Sequence, residues 1–388
     1  MLRIFLRLGI ASFGGPIAHI GYFRTEFVTR RRWVDERAYA DLVGLCQSLP
    51  GPSSSQVGFS IGLLRAGYAG ALAAWLGFTL PSAAVMVSFG YGAVALTGAA
   101  GTGLVHGLKV VAVAIVAQAV WGMAGQFCRS LGRACIAIGA LALVLSAHTA
   151  LAQLAAIFGG GLIGLWVCRR GGALRSADSL VLPVTRRIGW CCLISFATLL
   201  SATLLLPSVG GADGAALFAA YYRSGALVFG GGHVVLPLLH TAFVGPGWVS
   251  DGEFLAGYGA AQAVPGPLFT FAAYLGIVAH TTPRGIAGAL LGLIGIFLPG
   301  MLILLGALPF WASFRGRVGA QAVMDGINAA VVGLLAAALY DPIWKSSIEH
   351  PADFALALAG FLLLTFGRVA PVVVVVLIAG AEAGLAAL

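Results

Sequence analysis

The sequence is constrained most by a helix-breaking stretch that occurs twice inside apolar segments. In the first copy, Pro50-Gly51-Pro52 is followed by three serines, and in the second copy Pro265-Gly266-Pro267 interrupts another apolar segment. Proline has no backbone N–H and cannot continue a helix, so each copy separates two helices. Serine favours the start of a helix, where hydroxyls and free amide N–H groups are suited to hold an anion. The sequence therefore predicts broken helices around an anion-binding centre.

The apolar segments are long enough to cross a membrane. Residues 67–98 and 369–388 exceed the roughly 18 apolar residues that indicate a transmembrane helix. Charged residues make up 9% of the chain, whereas about 25% is usual in soluble domains. The predicted fold class is an all-α polytopic membrane protein whose partner is the lipid bilayer. The net charge of +9 does not indicate a nucleic-acid partner, because Lys and Arg gather on the cytoplasmic loops of membrane proteins.

Both breaks belong to an internal repeat that covers most of the chain. Phe13-Gly14-Gly15-Pro16 is echoed by Phe229-Gly230-Gly231-Gly232, and Gln47-x-x-Pro50-Gly51-Pro52 by Gln262-x-x-Pro265-Gly266-Pro267. Each matched position in the second half lies 215 to 219 residues after its counterpart in the first half. Duplicated halves with broken helices at equivalent places are typical of secondary transporters.

The distribution of arginines indicates that the two halves are inverted. Five arginines lie between Tyr22 and Arg37, with Arg37 included, whereas the matching stretch 240–252 has no Lys or Arg. The positive-inside rule then puts these loops on opposite sides of the membrane. The predicted domains are a first repeat (1–168), a basic cytoplasmic linker (169–187), a connecting span (188–206) and a second, inverted repeat (207–388).

Each repeat is predicted to contain two broken hairpins followed by four spans. A hairpin arm is shorter than the roughly 20 residues needed to cross the bilayer, so re-entrant hairpins are expected, although complete crossing stays open. The hairpins cover 1–22, 38–64, 217–243 and 253–281. The spans lie near 67–97, 104–125, 134–147, 149–168, 284–310, 318–340, 352–366 and 369–388.

The candidate substrate site consists of the breaks and the polar residues beside them. Unwound backbone in lipid is tolerated only where it lines a cavity or is buried in protein, so a packing kink is the alternative to a site. Uncharged amide donors such as Gln47 and Gln262 suit an oxyanion that must be released, although they equally suit hydrogen bonds between helices. The candidate substrate-binding residues are Gly14, Gly15, Pro16, Gln47, Pro50, Gly51, Pro52, Ser53, Ser54, Ser55, Gln56, Lys109, Gly230, Gly231, Gly232, His233, Gln262, Pro265, Gly266, Pro267 and Asn328.

Lys109 is the one cation predicted deep inside a span. Ionisable residues in a membrane are functional candidates because isolated charges are costly there. Lys109 therefore belongs either to an anion site or gate, or to an ion pair with Asp325, which is close to the repeat counterpart Asn328. No carboxylate occurs between Asp41 and Asp178, so the field of the first half is basic and suits an anion.

No motif of an enzyme, a cofactor site or a metal site is found. The sequence has no HExxH, GxSxG or Walker A motif and no GxGxxG in a strand–helix context. The six cysteines have no CxxC spacing, which favours structural packing. The protein is predicted to be no enzyme and to have no cofactor and no metal ligand set.

The motifs together resemble the chromate ion transporter family, and the second half resembles the second domain of its long-chain, two-domain members. The motifs that carry the resemblance are Leu8-Gly9-x-x-Ser12-Phe13-Gly14-Gly15-Pro16, Arg30-Arg31-Arg32-Trp33-Val34-Asp35-Glu36, Gln47-x-x-Pro50-Gly51-Pro52, Gly107-Leu108-Lys109, Phe229-Gly230-Gly231-Gly232-His233 and Val264-Pro265-Gly266-Pro267. The resemblance implies export of chromate through the bacterial inner (plasma) membrane, chromate resistance, and sulfate as the competing dianion.

Two functional alternatives stay open from the sequence. The first is a transporter of sulfate or another oxyanion, with or without proton coupling, and the second is an anion channel. Neither the coupling ion nor the oligomeric state follows from the residues, and a homodimer is among the open states.

Overall fold

The protein is described by a computed structural model that covers residues 1–95, 99–147, 149–168, 183–205, 213–229, 232–311 and 318–387. These residues form helices and connecting turns, with no β-strand in the described ranges. Five of their helices are long and apolar enough to cross a membrane: Ser53–Gly92, Gly101–Phe127, Arg186–Leu205, Gly285–Phe310 and Val318–Ser347. The prediction of an all-α polytopic membrane protein is confirmed.

The first half contains seven helices among the described residues, and an eighth connects it to the second half. These are α1 (Leu2–Ala11), α2 (Gly15–Phe23), α3 (Glu36–Ser48), α4 (Ser53–Ala95), α5 (Ala99–Phe127), α6 (Leu131–Ala147), α7 (Ala150–Val167) and the connecting α8 (Arg186–Leu205). A π-helical segment, Arg24–Arg30, continues α2. The helix α3 begins after Asp35, whose carboxylate accepts a hydrogen bond from the amide of Ala38 at 2.8 Å, as expected of an N-cap.

The second half repeats this order of elements. Its helices are α9 (Gly214–Ala226), α10 (Val235–Phe243), α11 (Asp251–Ala263), α12 (Phe271–Val278), α13 (Gly285–Ala307), α14 (Val318–Ala338), α15 (Pro351–Thr365) and α16 (Pro371–Ala387). Short 3-10 turns at Gly232–Val234 and Leu268–Thr270 precede α10 and α12. The helix breaks therefore lie where the sequence predicts them in both halves.

The junction between the second hairpin and the following span is alike in the two halves. In the first half it lies at Ala66 and Gly67 within α4, where the backbone angles are not helical and Gly67 has φ of 61°. In the second half the same junction separates α12 from α13, and Gly285 at the start of α13 has φ of 68°. Glycine adopts this left-handed conformation without the steric cost of a Cβ atom. The matched glycines confirm that these segments are structural equivalents.

The last two helices of each half pack on a long helix of the other half, and we call them the exchanged helix pairs. The pair α6 and α7 packs on α14 of the second half, and the pair α15 and α16 packs on α5 of the first half. A Cβ atom added to Gly164 would lie 2.8 Å from Cα of Gly326, and one added to Gly107 would lie 2.6 Å from Cα of Ala379. Small residues allow this close approach of helices in a membrane. The orientation of the halves across the bilayer and the predicted domain limits stay predictions.

Candidate functional site

The four helix breaks meet where the two halves contact each other. The amide of Gly51 donates a hydrogen bond to the carbonyl of Val228 at 2.7 Å, and the amide of Gly266 donates to the carbonyl of Ser12 at 2.9 Å. Each Pro-Gly-Pro break is thus bonded to the residue just before the glycine break of the other half. The glycine breaks are also adjacent, since a Cβ atom on Gly232 would lie 3.5 Å from Cγ of Pro16.

Glycine is required in both Pro-Gly-Pro breaks. The φ angles of Gly51 and Gly266 are 115° and 99°, in the region that side chains disfavour. A Cβ atom on Gly51 would lie 2.8 Å from Cα of Gly300, and one on Gly266 would lie 2.7 Å from Oγ of Ser82. Gly300 and Ser82 directly follow the proline inside α13 and α4. The proline-containing helix of each half therefore packs on the break of the other half.

A buried polar cluster surrounds the breaks on the side of the first half. His19, which is 1% exposed, has Nε2 3.1 Å from the carbonyl oxygen of Ser12 and Nδ1 3.3 Å from Oγ of Ser54. In a neutral ring, Nε2–H donates to that carbonyl and Nδ1 accepts from the Ser54 hydroxyl. The ring edge packs on Phe78, with centroids 5.2 Å apart. The cluster links α2 to the start of α4.

Several buried donors near the breaks have no hydrogen-bond partner within the described ranges. They are the hydroxyls of Ser12, Ser55 and Thr79 and the amide nitrogen of Gln262. A buried polar group without a partner costs about 1–3 kcal/mol. A water or ligand that accepts hydrogen bonds would remove this cost. The unpartnered donors therefore favour a site for an acceptor-rich ligand.

The helix starts after each Pro-Gly-Pro break add backbone donors. Ser53, Ser54 and Ser55 occupy the first three positions of α4, where amide N–H groups have no acceptor within the helix. In the second half, Pro267 precedes the turn Leu268–Thr270 without a side-chain cap. A helix N-terminus also carries a partial positive charge, which favours anions.

The second half places polar side chains on the helix that leads to its Pro-Gly-Pro break. Nδ1 of His233 lies 2.8 Å from the hydroxyl of Tyr258, and Gln262 follows Tyr258 by one turn of α11. Gln262 lies at the end of α11, three residues before Pro265. His233 thus contacts α11 one turn before Gln262, whose amide nitrogen has no partner among the described residues.

The glutamines of the first half have different surroundings from those expected of substrate ligands. Gln56 is fully buried, and its Nε2 donates to the carbonyls of Pro50 at 2.9 Å and Gly300 at 2.8 Å. It therefore ties the break to α13. Gln47 lies on an exposed part of α3. Asn328 is 8% exposed in α14, and its Oδ1 has no partner among the residues described.

Among the remaining candidates, Gly14 and Gly15 have φ of 97° and 77° and form the turn into α2. Gly230 and Gly231 lie outside the described residues.

Lys109 occupies a separate cavity. Its Nζ lies 3.4 Å from the carbonyl oxygen of Ser346 and 3.9 Å from the carboxylate of Glu349. The cavity has a volume of about 390 Å³ and is lined by α5, the start of α15 and the end of α16. The alternative that Lys109 pairs with Asp325 is wrong, because Asp325 forms its ion pair with Arg133.

The sequence reasoning missed Ser12, Thr79 and Ser82. A usable signal was present, since Thr79 and Ser82 flank Leu80-Pro81, which matches Leu298-Pro299 in the repeat. Hydroxyl side chains next to a proline kink are expected to compensate for freed backbone groups. Nothing in the sequence indicates the contact between His19 and Ser12, which only the packing of α2 creates.

Comparison with known proteins decides the family. The family model described as chromate transporter matches residues 1–165 and 215–385, which correspond to the two repeats. The chain belongs to the chromate transporter family. The resemblance read from the motifs is thereby confirmed, and the family is one of transporters and not of enzymes.

The relatives cover nearly the whole chain. It is 29% identical to a chromate transport protein of Pseudomonas aeruginosa, over 98% of this chain and 90% of the relative. It is 25% identical to a chromate transport protein of Cupriavidus metallidurans, over 97% and 90% of the two chains. A probable chromate transport protein of Synechococcus elongatus is 26% identical, over 93% and 88%. No solved structure matches the chain.

Proposed function

We propose that this transporter exports chromate from the cytoplasm across a bacterial inner membrane and thereby confers chromate resistance. The observation that carries the proposal is the pair of matching hydrogen bonds, Gly51 to Val228 and Gly266 to Ser12. These bonds bring the breaks of both halves, two helix starts and several unpartnered donors to one place. Relatives named chromate transport proteins along nearly the full length support chromate as the cargo.

The donors at the breaks suit a tetrahedral dianion. Chromate has four oxygens that accept hydrogen bonds, and the breaks offer hydroxyl, amide and backbone N–H donors. Hydrogen bonds to a charged acceptor contribute about 1.5–3 kcal/mol each. In the described part of the chain, neither the backbone partners of Gly51 and Gly266 nor the atoms nearest to these two glycines belong to Lys or Arg. Neutral donors bind the dianion without the strong ion pairs that would slow its release.

Export is favoured by the membrane potential. An inside-negative potential contributes about 2.3 kcal/mol per charge per 100 mV. A dianion therefore gains about twice this value on leaving the cytoplasm, and export needs no coupled ion. Uptake of the same dianion would need a co-transported cation.

The contact between the halves suits alternating access. Few backbone hydrogen bonds join the breaks, and the φ > 0 glycines there mark points where the backbone direction changes. In transporters with broken helices, one repeat rocks against the other around a central site. Both repeats lie in one chain, so the proposed transporting unit needs no separate partner domain.

Sulfate is the second candidate cargo. Sulfate and chromate are both tetrahedral dianions. Hydroxyl donors can therefore discriminate between them only by the size of the ion. Sulfate is therefore expected to compete with chromate for the site.

The test is chromate uptake into inverted membrane vesicles, in which export appears as uptake. Wild-type uptake is expected to saturate, to be inhibited by sulfate and to rise when the lumen is made positive without a pH gradient. Pro50→Ala is expected to abolish it, with Gly252→Ala as the control, since a Cβ atom at Gly252 meets open space in α11. Absence of chromate uptake would refute chromate as the cargo. Uptake that does not saturate with chromate concentration would indicate a channel.

Lys109→Ala in the same assay tests whether the separate cavity takes part in transport. We expect a lower maximal rate with little change in KM, because Lys109 contacts Ser346 and Glu349 and not the breaks. A large rise in KM would instead assign Lys109 to chromate binding.

A further inference from the structure

The cavity beside Lys109 contains a set of side chains that the transport proposal does not use. His106 of α5, Asp353 of α15 and Glu382 of α16 each direct one ligand atom to a common place, and these atoms lie within 4.8 Å of one another. Nε2 of His106 is 3.1 Å from Oδ1 of Asp353. One imidazole and two carboxylates from three helices are an ordinary ligand set for a metal ion.

The charge of the cavity favours a cation. Lys109 and Glu349 pair with each other at its edge, at 3.9 Å. Their charges cancel, which leaves the two carboxylates of Asp353 and Glu382 beside the single imidazole of His106. The remaining charge is therefore negative, in a cavity of about 390 Å³ that has room for an ion and its waters.

Asp353 is already held in the orientation that a ligand needs. Its Oδ2 accepts hydrogen bonds from the amides of Glu349 at 2.9 Å and His350 at 2.8 Å. Its side chain is 6% exposed. The second oxygen, Oδ1, is left to face His106. Hydrogen bonds of this kind orient metal ligands and reduce the entropy lost on binding.

The separations also fit a small divalent ion. Zinc–nitrogen and zinc–oxygen bonds of about 2.0–2.2 Å in a tetrahedral site place neighbouring ligand atoms about 3.3–3.5 Å apart. The separation of 3.1 Å between His106 and Asp353 is close to this value. Glu382 needs only a small side-chain movement to complete three ligands, and water completes the fourth position. An imidazole ligand favours zinc-like transition metals over Mg²⁺ or Ca²⁺, which prefer oxygen.

We propose that His106, Asp353 and Glu382 form a binding site for a divalent transition-metal ion of the zinc class. The ligands come from both halves, because α5 belongs to the first half and α15 and α16 to the second. A bound ion joins the exchanged helix pair to α5 and restrains movement between the halves. The sequence predicted no metal site, since His106 and Asp353 are 247 positions apart.

The experiment is a Zn²⁺ titration of the purified, detergent-solubilised protein by calorimetry. Wild type is expected to bind one equivalent with micromolar or tighter affinity and to unfold at a higher temperature with the ion. His106→Ala and Glu382→Gln are each expected to weaken binding at least tenfold. His280→Ala is the matched control, because His280 is exposed and outside the cavity, and it is expected to leave the affinity unchanged.

Folding of the variants is checked by their elution profile and by their unfolding temperature without metal. Electron paramagnetic resonance with Cu²⁺ supplies a second readout, in which wild type is expected to show coupling to one imidazole nitrogen that His106→Ala lacks. No Zn²⁺ binding by wild type at 100 μM, or equal binding by wild type and both ligand variants, would overturn the proposal. Binding of Ca²⁺ in preference to Zn²⁺ would overturn the assigned metal class.

Discussion

The two halves have the same helix breaks, but the side chains beside these breaks are polar in the first half and mostly apolar in the second. After the first Pro-Gly-Pro break, α4 begins with Ser53–Gln56, whereas the matching residues of the second half, Leu268–Phe271, are apolar except for Thr270. The same difference holds before the breaks, where Ser12 and His19 correspond to the buried Val228 and Val235. The backbone geometry is thus duplicated, and most of the hydroxyl donors belong to one half.

This difference indicates separate tasks for the halves. Buried hydroxyls without partners destabilise the folded protein. A half whose residues beside the break serve only for packing is therefore more stable with apolar side chains there. We infer that the first half supplies most side-chain contacts to the substrate, and that the second half supplies backbone groups and the amide of Gln262. The predictions below test this comparison, from the largest expected effect to the smallest.

The predicted inversion of the halves means that two equivalent loops are accessible from opposite sides of the membrane. A cysteine at Arg30 is expected to react with an impermeant thiol reagent from the cytoplasmic side only, and a cysteine at Pro246 from the opposite side only, because the positive-inside rule separates these loops. Both positions are exposed. The measurement is labelling in right-side-out and inverted vesicles, in a background without the six native cysteines. Labelling of both positions from one side would refute the inversion.

Substitution of the two break glycines is expected to have large and unequal effects. Gly51→Ala and Gly266→Ala both place a side chain at a positive φ, at a cost of about 1–3 kcal/mol. The added Cβ meets backbone Cα of Gly300 in Gly51→Ala but the rotatable hydroxyl of Ser82 in Gly266→Ala. Gly51→Ala is therefore expected to unfold at the lower temperature and to lose transport completely.

The measurement for both glycine variants is thermal unfolding in detergent together with vesicle transport, and Gly252→Ala is the control for the added methyl group. Equal stability of Gly51→Ala and wild type would contradict the close contact with Gly300.

Ser12→Ala tests the assignment of substrate contacts to the first half. The Ser12 hydroxyl is buried and has no partner within the described residues, so its removal is expected not to lower the free energy of unfolding and to raise it by up to about 1–3 kcal/mol. If it donates to chromate, KM rises about tenfold, which corresponds to about 1.4 kcal/mol. Ser347→Ala is the matched control, since that hydroxyl is equally buried and unpartnered but lies in the short helix Lys345–Ser347, next to the residue that contacts Lys109. An unchanged KM for Ser12→Ala would remove Ser12 from the site.

The smallest effect is expected in the charged loop of the first half. Burial raises the pKa of Glu26, but contacts with Arg31 and Arg30 outweigh it and hold the pKa below its usual value. These ion pairs therefore stabilise the fold above the usual pKa of a glutamate, and the contribution is lost as pH falls through the lower pKa of the folded state. Glu26→Gln is expected to cost about 1 kcal/mol or less at neutral pH.

The measurement for Glu26→Gln is unfolding temperature against pH, with Glu36→Gln as a control in the more exposed pair with Arg24. The difference from wild type should vanish at strongly acidic pH. A difference that persists there would mean that Glu26 acts through packing and not through charge.

Much of the fold is predictable from the sequence because each helix boundary has a local cause. Pro50-Gly51-Pro52 and Pro265-Gly266-Pro267 end helices by removing backbone donors, and apolar length sets the spans. The predicted linker 169–187 is described only from residue 183 onward. The predicted boundary between residues 64 and 67 coincides with Ala66 and Gly67, where the backbone of α4 leaves the helical conformation.

The sequence by itself determined the class, the repeat and the positions of the breaks, since composition, periodicity and proline act over a few neighbouring residues. Tertiary structure alone decided which breaks touch, because a bond such as Gly266 to Ser12 joins residues far apart along the chain. It also decided that Gln56 binds the carbonyl of Gly300 and that Lys109 faces Glu349. A side chain's partner depends on how helices from both halves pack, and no local pattern records that packing.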